Sequence, residues 1–430
     1  MAEMRRAAHI DSWYAATARR STDYPALAEE LRVDVCVLGG GITGLSTAIH
    51  LAERGYRVAV LEAQRVGWGA SGRSGGQMIF GFASDQSRLV RLVGREDAKK
   101  IWDCGLEGMD LLRQQVTRFN IDCDLVHGHI HAALKPRQAR ELRSWQADLE
   151  DNYGYRSLRF LDRQQIREAI ASERYVAGLR DSNSGHIHPL NYVLGLANAA
   201  ESLGVRIFEN SAVEHMKAGA PVSADTAGGR VTADFMVLAG NAYLSGLVPG
   251  IENRIMPVGT YIGATEPLGE QRARALIADN AAVADINFVL DYFRCSSDHR
   301  LLFGGRVSYS TMEPLNLMQT MRKRMLGVFP QLKDVRMDYA WGGFVAITMN
   351  RAPDFGRIGA NVYYAHGFSG HGIAATGLAG KLMADAIAGT AEKFDVFARI
   401  PHRDFPGGRA LRMPALVLAM AWYRLRDLLP

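Results

Sequence analysis

The sequence predicts an α/β chain, α+β overall: one domain built on a parallel sheet, and a second whose sheet is mostly antiparallel. Three observations predict this. A strand, a glycine turn, a helix, a second strand and an acid follow one another between Val33 and Glu62. A second dense glycine cluster lies at 367–372. Between Arg254 and Ile347, strand patterns succeed one another with one helix among them. A chain of 430 residues also exceeds what one core ordinarily serves, so two domains are expected.

The first run reads Val33-Asp34-Val35-Cys36-Val37-Leu38, then Gly39-Gly40-Gly41-Ile42-Thr43-Gly44. The Val-rich piece suits a strand buried on both faces. Gly39 permits the tight turn, Gly41 lets backbone approach a pyrophosphate, and Gly44 allows close helix–strand packing. Ile42, Leu45, Ile49 and Ala52 then share one helical face, and Gly55 ends the helix. Val58-Ala59-Val60-Leu61 is the second strand, closed by Glu62, where an acid accepts hydrogen bonds from ribose hydroxyls. The order of these parts makes a Rossmann-like dinucleotide site the expectation.

The loop after Glu62 reads Ala63-Gln64-Arg65-Val66-Gly67-Trp68-Gly69-Ala70-Ser71-Gly72-Arg73-Ser74-Gly75-Gly76-Gln77. A nicotinamide domain usually proceeds straight to another helix; this Gly/Ser stretch instead lets backbone N–H groups crowd against phosphate and ring atoms. Here the chain resembles the FAD-dependent amine and amino-acid oxidoreductases of the D-amino-acid oxidase superfamily, which includes sarcosine and glycine oxidases. The resemblance extends over almost the whole chain. Within the superfamily it is to the bacterial gamma-glutamylputrescine oxidoreductases. The implied cofactor is FAD, and the implied cofactor residues of the first motif and loop are Gly39, Gly41, Ile42, Thr43, Gly44, Glu62, Ala63, Gly69, Ala70, Ser71, Arg73, Ser74, Gly75, Gly76 and Gln77.

The remaining elements follow in order. Residues up to about Arg32 form a polar lead-in, with Ser12-Trp13-Tyr14 as its bulky apolar spot and no chemistry assigned. Leu89 to Phe119 carries two helical stretches. From Asp124 to Leu134 a strand pattern contains His127, His129 and His131, which would share one face. No carboxylate or fourth ligand accompanies them, so no metal is assigned; they are read as a strand edge facing solvent or a substrate cavity. Pro136 to Ala171 reads as helix, short strand, helix. In Ser184-Gly185-His186-Ile187-His188-Pro189, Pro189 starts the helix Leu190 to Leu203. His188 is read in two ways, as a substrate-side residue by resemblance or as a residue that caps the turn. Val205 to Glu214 is a strand and a turn, and Val231 to Gly240 another apolar strand. By resemblance, the Val213 backbone meets the adenine, and Ala239 and Gly240 end against the cofactor.

Candidate strands at Ile255–Thr265, Asn287–Cys295, Arg300–Val307 and Arg336–Ile347, with a helix from Met318 to Phe329, make the second sheet. Tyr261, Tyr292, Arg294 and Trp341 are its candidate substrate residues, by side-chain type and resemblance. The last motif, Gly367-Phe368-Ser369-Gly370-His371-Gly372-Ile373, resembles the Gly-Phe-Ser-Gly-His-Gly element of sarcosine oxidases. It opens a helix, Ile373 to Ile387, whose N-terminal N–H groups suit negative charge on the flavin ring. Gly367, Ser369, Gly370, His371, Gly372 and Ile373 complete the cofactor set. The expected division is 1–84, 186–250 and 345–430 for the FAD-binding domain, and 85–185 and 251–344 for the substrate domain.

Composition limits the alternatives. The net charge of +5 is spread along the chain, which does not suggest nucleic acid. The four cysteines, Cys36, Cys104, Cys123 and Cys295, form no CxxC pair or metal spacing, as in a reducing cytoplasm. Met1 to Tyr14 lacks the apolar run of a signal peptide, and no stretch reaches the roughly 18 apolar residues of a transmembrane helix. The tail at 411–429 is apolar with flanking arginines. It is read as a helix docked on the body, with peripheral contact at the inner membrane face as the alternative.

The chemistry implied is oxidation of a C–N bond in an amine or amino acid to an imine, with FAD taking the electrons and no protein base assigned. No cysteine follows Cys295 and no histidine lies in 63–77, so the attachment points used by some relatives are missing and the FAD is expected to be non-covalent. Relatives that oxidise free amino acids carry an arginine three residues before a threonine that itself precedes a proline by five. Here Thr348 and Pro353 keep that spacing and Val345 stands in place of the arginine. This favours an amine whose carboxylate is remote, such as gamma-glutamylputrescine in polyamine catabolism. The alternative is a cyclic secondary amino acid, L-pipecolate or proline. The acceptor is oxygen or a component of the respiratory chain.

Overall fold

The computed structural model describes residues 8–407 except 245, 288 and 306–314. The apolar tail discussed above lies outside the described residues.

Two sheets organise the chain. The first has eight strands, in the path Asp354–Ile358, Val362–His366, Arg230–Leu238, Glu30–Leu38, Val58–Leu61, Arg206–Phe208, with the hairpin Val213–Lys217/Val222–Thr226 extending from Arg230–Leu238. Its centre is parallel: Val37 lies between Val237 and Val60. Parallel strands need cover on both faces, which explains why Val35–Leu38 and Val58–Leu61 are buried throughout. Helices Ile42–Ala52 and Gly372–Ile387 pack together on one face. Small residues permit it: a Cβ on Gly380 would come within 2.5 Å of Thr43 O, and Ser46 Oγ donates to Gly377 O at 2.7 Å. Hence the two helices that start at the two glycine motifs are held as neighbours.

The second sheet has nine strands. Its path is Met337–Thr348, Ile255–Thr265, Leu301–Gly305, Asp291–Cys295, Ala282–Asp285, Val126–Ala133, Ala177–His186, Gln77–Met78, with Leu158–Leu161 paired to Ala177–His186. All pairings are antiparallel except Val126–Ala133 with Ala282–Asp285. Alternation gives it two faces. Val283, Phe293, Phe303 and Ile130 enter a core with helix Leu317–Val328, and the next residues along point the other way.

The two helical stretches expected at 89–119 are present: Gln86–Arg118 is divided by a kink at Gly94, where φ is 83°. Two expectations change. The histidines of Val126–Ala133 do not share a face: the register shifts between His127 and His129, at Gly128 with φ +106°, so His127 is exposed while His129 and His131 are buried. The lead-in, which carries no assigned role, buries its apolar spot. Trp13 and Tyr14 are 1% and 0% exposed, wedged against His188 and Trp341. Trp13 Nε1–H donates to Asp298 (3.2 Å), which ties this segment to the second sheet.

Candidate active site

A cavity of about 950 Å³ runs between the sheets, near the upper end for ligand pockets. One wall begins at the first glycine turn. Gly39 has φ +114°, and a Cβ there would meet Ala239 O at 2.9 Å. A Cβ on Gly41 would meet Ser71 Oγ at 2.8 Å; that hydroxyl accepts from Ile42 N–H at 3.1 Å. The turn is therefore bare backbone at the start of helix Ile42–Ala52, the arrangement that accepts a pyrophosphate. Glu62 lies beside it, its carboxylate accepting from Gly40 N–H (2.8 Å) and Gln64 N–H (2.9 Å). Burial raises its pKa against the pull of those N–H bonds.

The far end is the second glycine motif. Gly367, Ser369 and Gly370 have φ of 73°, 53° and 99°. Asn241 Oδ1 accepts from Gly367 N–H (3.0 Å) and Ala346 O from Ser369 N–H (2.9 Å), so this loop is tied to both sheets. It delivers the N-terminus of Gly372–Ile387 to the cavity, a source of free N–H groups and positive dipole.

Of the expected cofactor residues, Gly39, Gly41, Ile42, Thr43, Glu62, Ala63, Gly69, Ala70, Ser71, Ser74, Gly75, Gly76, Gln77, Val213, Ala239, Gly240, Ser369, Gly370, His371, Gly372 and Ile373 line this cavity. Gly44, Arg73 and Gly367 do not. Gly44 packs helix on strand, Arg73 turns its guanidinium onto the Trp68 ring (3.9 Å), and Gly367 turns toward Thr348.

The substrate-side expectations fare differently. Tyr292 lines the cavity; His188, Tyr261, Arg294 and Trp341 do not. Tyr261 falls on the opposite face of its strand from the cavity-lining Thr260 and packs in the second core, over Gly342. His188 caps helix Pro189–Ser202: its Nδ1 accepts from Asn191 N–H (3.1 Å), so Nε2–H donates to Thr17 Oγ1 (3.1 Å). Burial first, and then the charge of Arg294, press its pKa down to about 3. Trp341 Nε1–H donates to Arg73 O (3.0 Å), and Arg294 Nε–H to Gly75 O (2.9 Å). Both side chains grip the 73–76 loop from behind.

Sequence reasoning missed several lining residues: Trp68, Trp145, Tyr243, Ala284, Asp285 and Phe368. Tyr243 had a legible signal, three residues beyond Gly240 in the turn that closes a parallel strand. His131, read as facing solvent or a substrate cavity, lines the cavity, 4.5 Å in ring centroid from His129. Burial pushes His131 down to about 3 and His371 to about 4, so both imidazoles are neutral at neutral pH. Among the described residues, no group of three or more His, Cys, Asp or Glu could hold a metal ion.

A family model described as DAO, FAD dependent oxidoreductase, matches residues 34–386. The chain belongs to this family. Gamma-glutamylputrescine oxidoreductase of Escherichia coli (strain K12) is 44% identical over 97% of this chain and 98% of the relative. A probable oxidoreductase, OrdL, of Haemophilus influenzae is 42% identical over 97% of each. Among solved structures, glycine oxidase from Geobacillus kaustophilus superposes with a TM-score of 0.72 at 22% identity, covering 87% of this chain and all of that one, a likeness of fold. The protein is thus an FAD-dependent oxidoreductase. FAD fits the residues present: two glycine turns that a Cβ would fill, two helix N-termini, and a buried acid beside the first turn.

Asp285 gives a pH signature. Burial and then the Asp291 charge raise its pKa to about 7, and its Oδ2 has no hydrogen-bond partner among the described residues. The folded value lies above the unfolded one, about 3.9. Its proton therefore supports the fold at low pH, and that support is lost as pH rises from about 4 through 7. Asp285→Asn keeps an oxygen for Asn287 N–H (3.1 Å) and removes the charge. Its stability relative to the parent is expected to improve by about 2–3 kcal/mol between pH 5 and pH 8. Denaturant unfolding at the two values checks this; a difference independent of pH contradicts it.

Proposed function

We propose that the protein oxidises the C–N bond of a gamma-glutamylated polyamine such as gamma-glutamylputrescine to an imine, with non-covalently held FAD. The observation that carries this reading is the wall contributed by the second sheet. Gln77, His131, Thr260, Ala284, Asp285, Tyr292, Gly305, Val345 and Ala346 line it, and no arginine of that sheet's described strands does. A carboxylate on the reacting carbon would have no guanidinium fork from these strands; the arginine that does line the cavity, Arg351, stands in the turn beyond Thr348. Arg294, the candidate replacement, is engaged with Gly75 O and Ile187 O. An amine with its carboxylate far from the reacting carbon needs no such fork there. The 44% identical relative is named for that substrate.

When bound, FAD supplies the acceptor for a hydride equivalent from the carbon beside the amine. The chain's own residues bind and orient. The glycine turn at 39–44 would hold the pyrophosphate, Glu62 the ribose, Val213 the adenine through its backbone, and Ala239 and Gly240 would end against the cofactor. The cavity-lining residues of 69–77 and 369–373 would hold the ring. Neutral His131 and His371 and the Tyr292 phenol, whose pKa burial raises, add no positive charge to repel an amine. A poorly hydrated cavity favours the uncharged, reactive amine. In this reading 1–84, 186–250 and 345–430 form the FAD-binding domain, and 85–185 with 251–344 the substrate domain. The four cysteines are buried and none lines the cavity, which supports non-covalent attachment.

Steady-state ranking tests the proposal. The value of kcat/KM for gamma-glutamylputrescine is expected to exceed those for glycine, sarcosine, L-proline and L-pipecolate by roughly 100-fold, about 3 kcal/mol of discrimination. A preference for proline or pipecolate contradicts it. Assays with oxygen and with a quinone identify the acceptor, and acid precipitation is expected to leave the protein colourless.

A further inference from the structure

The Gly75–Gly76 turn rests on a buried cation with only neutral partners. Arg294 is 2% exposed. Its Nε–H donates to Gly75 O (2.9 Å), and Nη2 donates to Ile187 O (2.9 Å) and Tyr14 Oη (3.1 Å). Nη1 faces His186 Nδ1 at 3.4 Å. His186 directs Nε2–H to Asn280 O (2.8 Å), so that Nδ1 is the bare, accepting nitrogen. Among the described residues no carboxylate pairs with Arg294. A guanidinium buried without a counter-ion is costly, by several kcal/mol per ion, unless negative charge arrives nearby.

The turn itself shows where that charge would sit. The Gly75–Gly76 peptide is trans, so its N–H points opposite to its C=O. With Gly75 O held by Arg294, the Gly76 N–H points away from the guanidinium; both glycines line the cavity. Neither Gly75 N–H nor Gly76 N–H has a hydrogen-bond partner among the described residues. Side chains are excluded at both positions. A Cβ on Gly75 would meet Tyr292 at 2.6 Å, and one on Gly76 would meet Ile187 O at 2.2 Å. Two adjacent free N–H groups in a turn with φ +70° at the second glycine make an anion-facing concavity.

We propose that Arg294 is a positioning residue for the flavin: it fixes the Gly75–Gly76 turn with its free N–H groups toward the ring, and its unneutralised charge favours the reduced, negatively charged form. Tyr14, brought in by the N-terminal segment, completes the guanidinium's shell. The proposal requires FAD in the cavity and is independent of which amine is oxidised.

The test reads the cofactor rather than turnover. Sulfite adds to oxidised flavin as an anion, so its affinity reports positive charge near the ring. In purified holoprotein, Arg294→Met is expected to weaken sulfite binding at least tenfold and to lower the two-electron reduction potential, about 30 mV for each tenfold change in that equilibrium. Arg294→Lys keeps the charge and loses the fork; it is expected to hold its potential while the FAD dissociation constant rises at least fivefold. Tyr14→Phe, which leaves charge and Gly75 contact in place, is expected to stay within twofold of the parent in sulfite affinity. An Arg294→Met holoprotein with unchanged sulfite affinity and potential overturns the proposal. If that variant does not fold or hold FAD, Arg294→Lys decides: FAD affinity equal to the parent's overturns it. Failure of the gamma-glutamylputrescine reading would leave all these values where they are.

Discussion

Gly44→Ala is expected to weaken flavin binding at least tenfold in the purified protein. An ideal Cβ at this position would lie 2.0 Å from Gly39 O and 3.1 Å from Val37 Cγ1. Both neighbours belong to the central strand and its turn, which cannot yield as a flexible side-chain tip would. Strand Glu30–Leu38 is hydrogen-bonded on both sides, to Arg230–Leu238 and to Val58–Leu61. Helix Ile42–Ala52 must therefore retreat, and its N-terminus, which would carry the pyrophosphate, moves with it. Overpacking of this sort costs about 1–3 kcal/mol or more. Displacement of the phosphate site adds at least a tenfold loss of affinity, about 1.4 kcal/mol. Flavin content after purification and the FAD dissociation constant of the apoprotein measure this. Content near one per chain would show that the helix does not need to approach so closely.

Trp341→Ala is expected to be the most destabilising single substitution near the cavity, at about 3–5 kcal/mol. The indole is 2% exposed, touches Tyr14 at 5.1 Å between ring centroids, and is the donor to Arg73 O. Trp341→Phe separates packing from hydrogen bonding. It keeps most of the buried ring and frees the Arg73 carbonyl, for about 1–2 kcal/mol. Because Trp341 stands behind the loop, Trp341→Phe is expected to raise the FAD dissociation constant several-fold while leaving KM for the amine nearly unchanged. A selective rise in KM would return Trp341 to the substrate side. Denaturant unfolding, FAD titration and steady-state kinetics on the two variants supply the comparison.

The parts legible in the sequence are those set by short-range pattern. Strand Ile255–Thr265 has the expected bounds, and helix Leu317–Val328 lies within one residue of the expected span. The period of two and the period of 3.6 are local properties, and Gly39, Gly41 and Gly44 carry their spacing requirements openly. What escaped depends on contacts far along the chain. Tyr261 and Thr260 are adjacent in sequence, and only the position of the first sheet determines which faces the cavity. Arg294 has the chemistry of a carboxylate ligand, yet its fork is taken by main-chain carbonyls at 75 and 187. Trp13 and Tyr14, the apolar spot of the lead-in, have no role legible from sequence because their partners, Asp298, Arg294 and Trp341, lie some 280 to 330 positions later. The bulge at Gly128 likewise turned a regular histidine alternation into one exposed and two buried rings.

These corrections alter the picture of the second sheet. It does not present a row of charged or aromatic side chains to the substrate. It contributes a mostly uncharged wall with Tyr292, His131 and Val345, and places buried Arg294 and the Trp341 indole where they hold the 73–76 loop. That division of labour suits a reaction in which the flavin takes the electrons and the protein has to orient a neutral amine.

Anaerobic titration of the purified yellow protein with gamma-glutamylputrescine, followed by the visible flavin absorbance, tests the central claim most directly. Stoichiometric bleaching that returns when oxygen or a quinone is admitted is the predicted result. A flavin that stays fully oxidised in excess substrate, in protein that dithionite reduces normally, would contradict it.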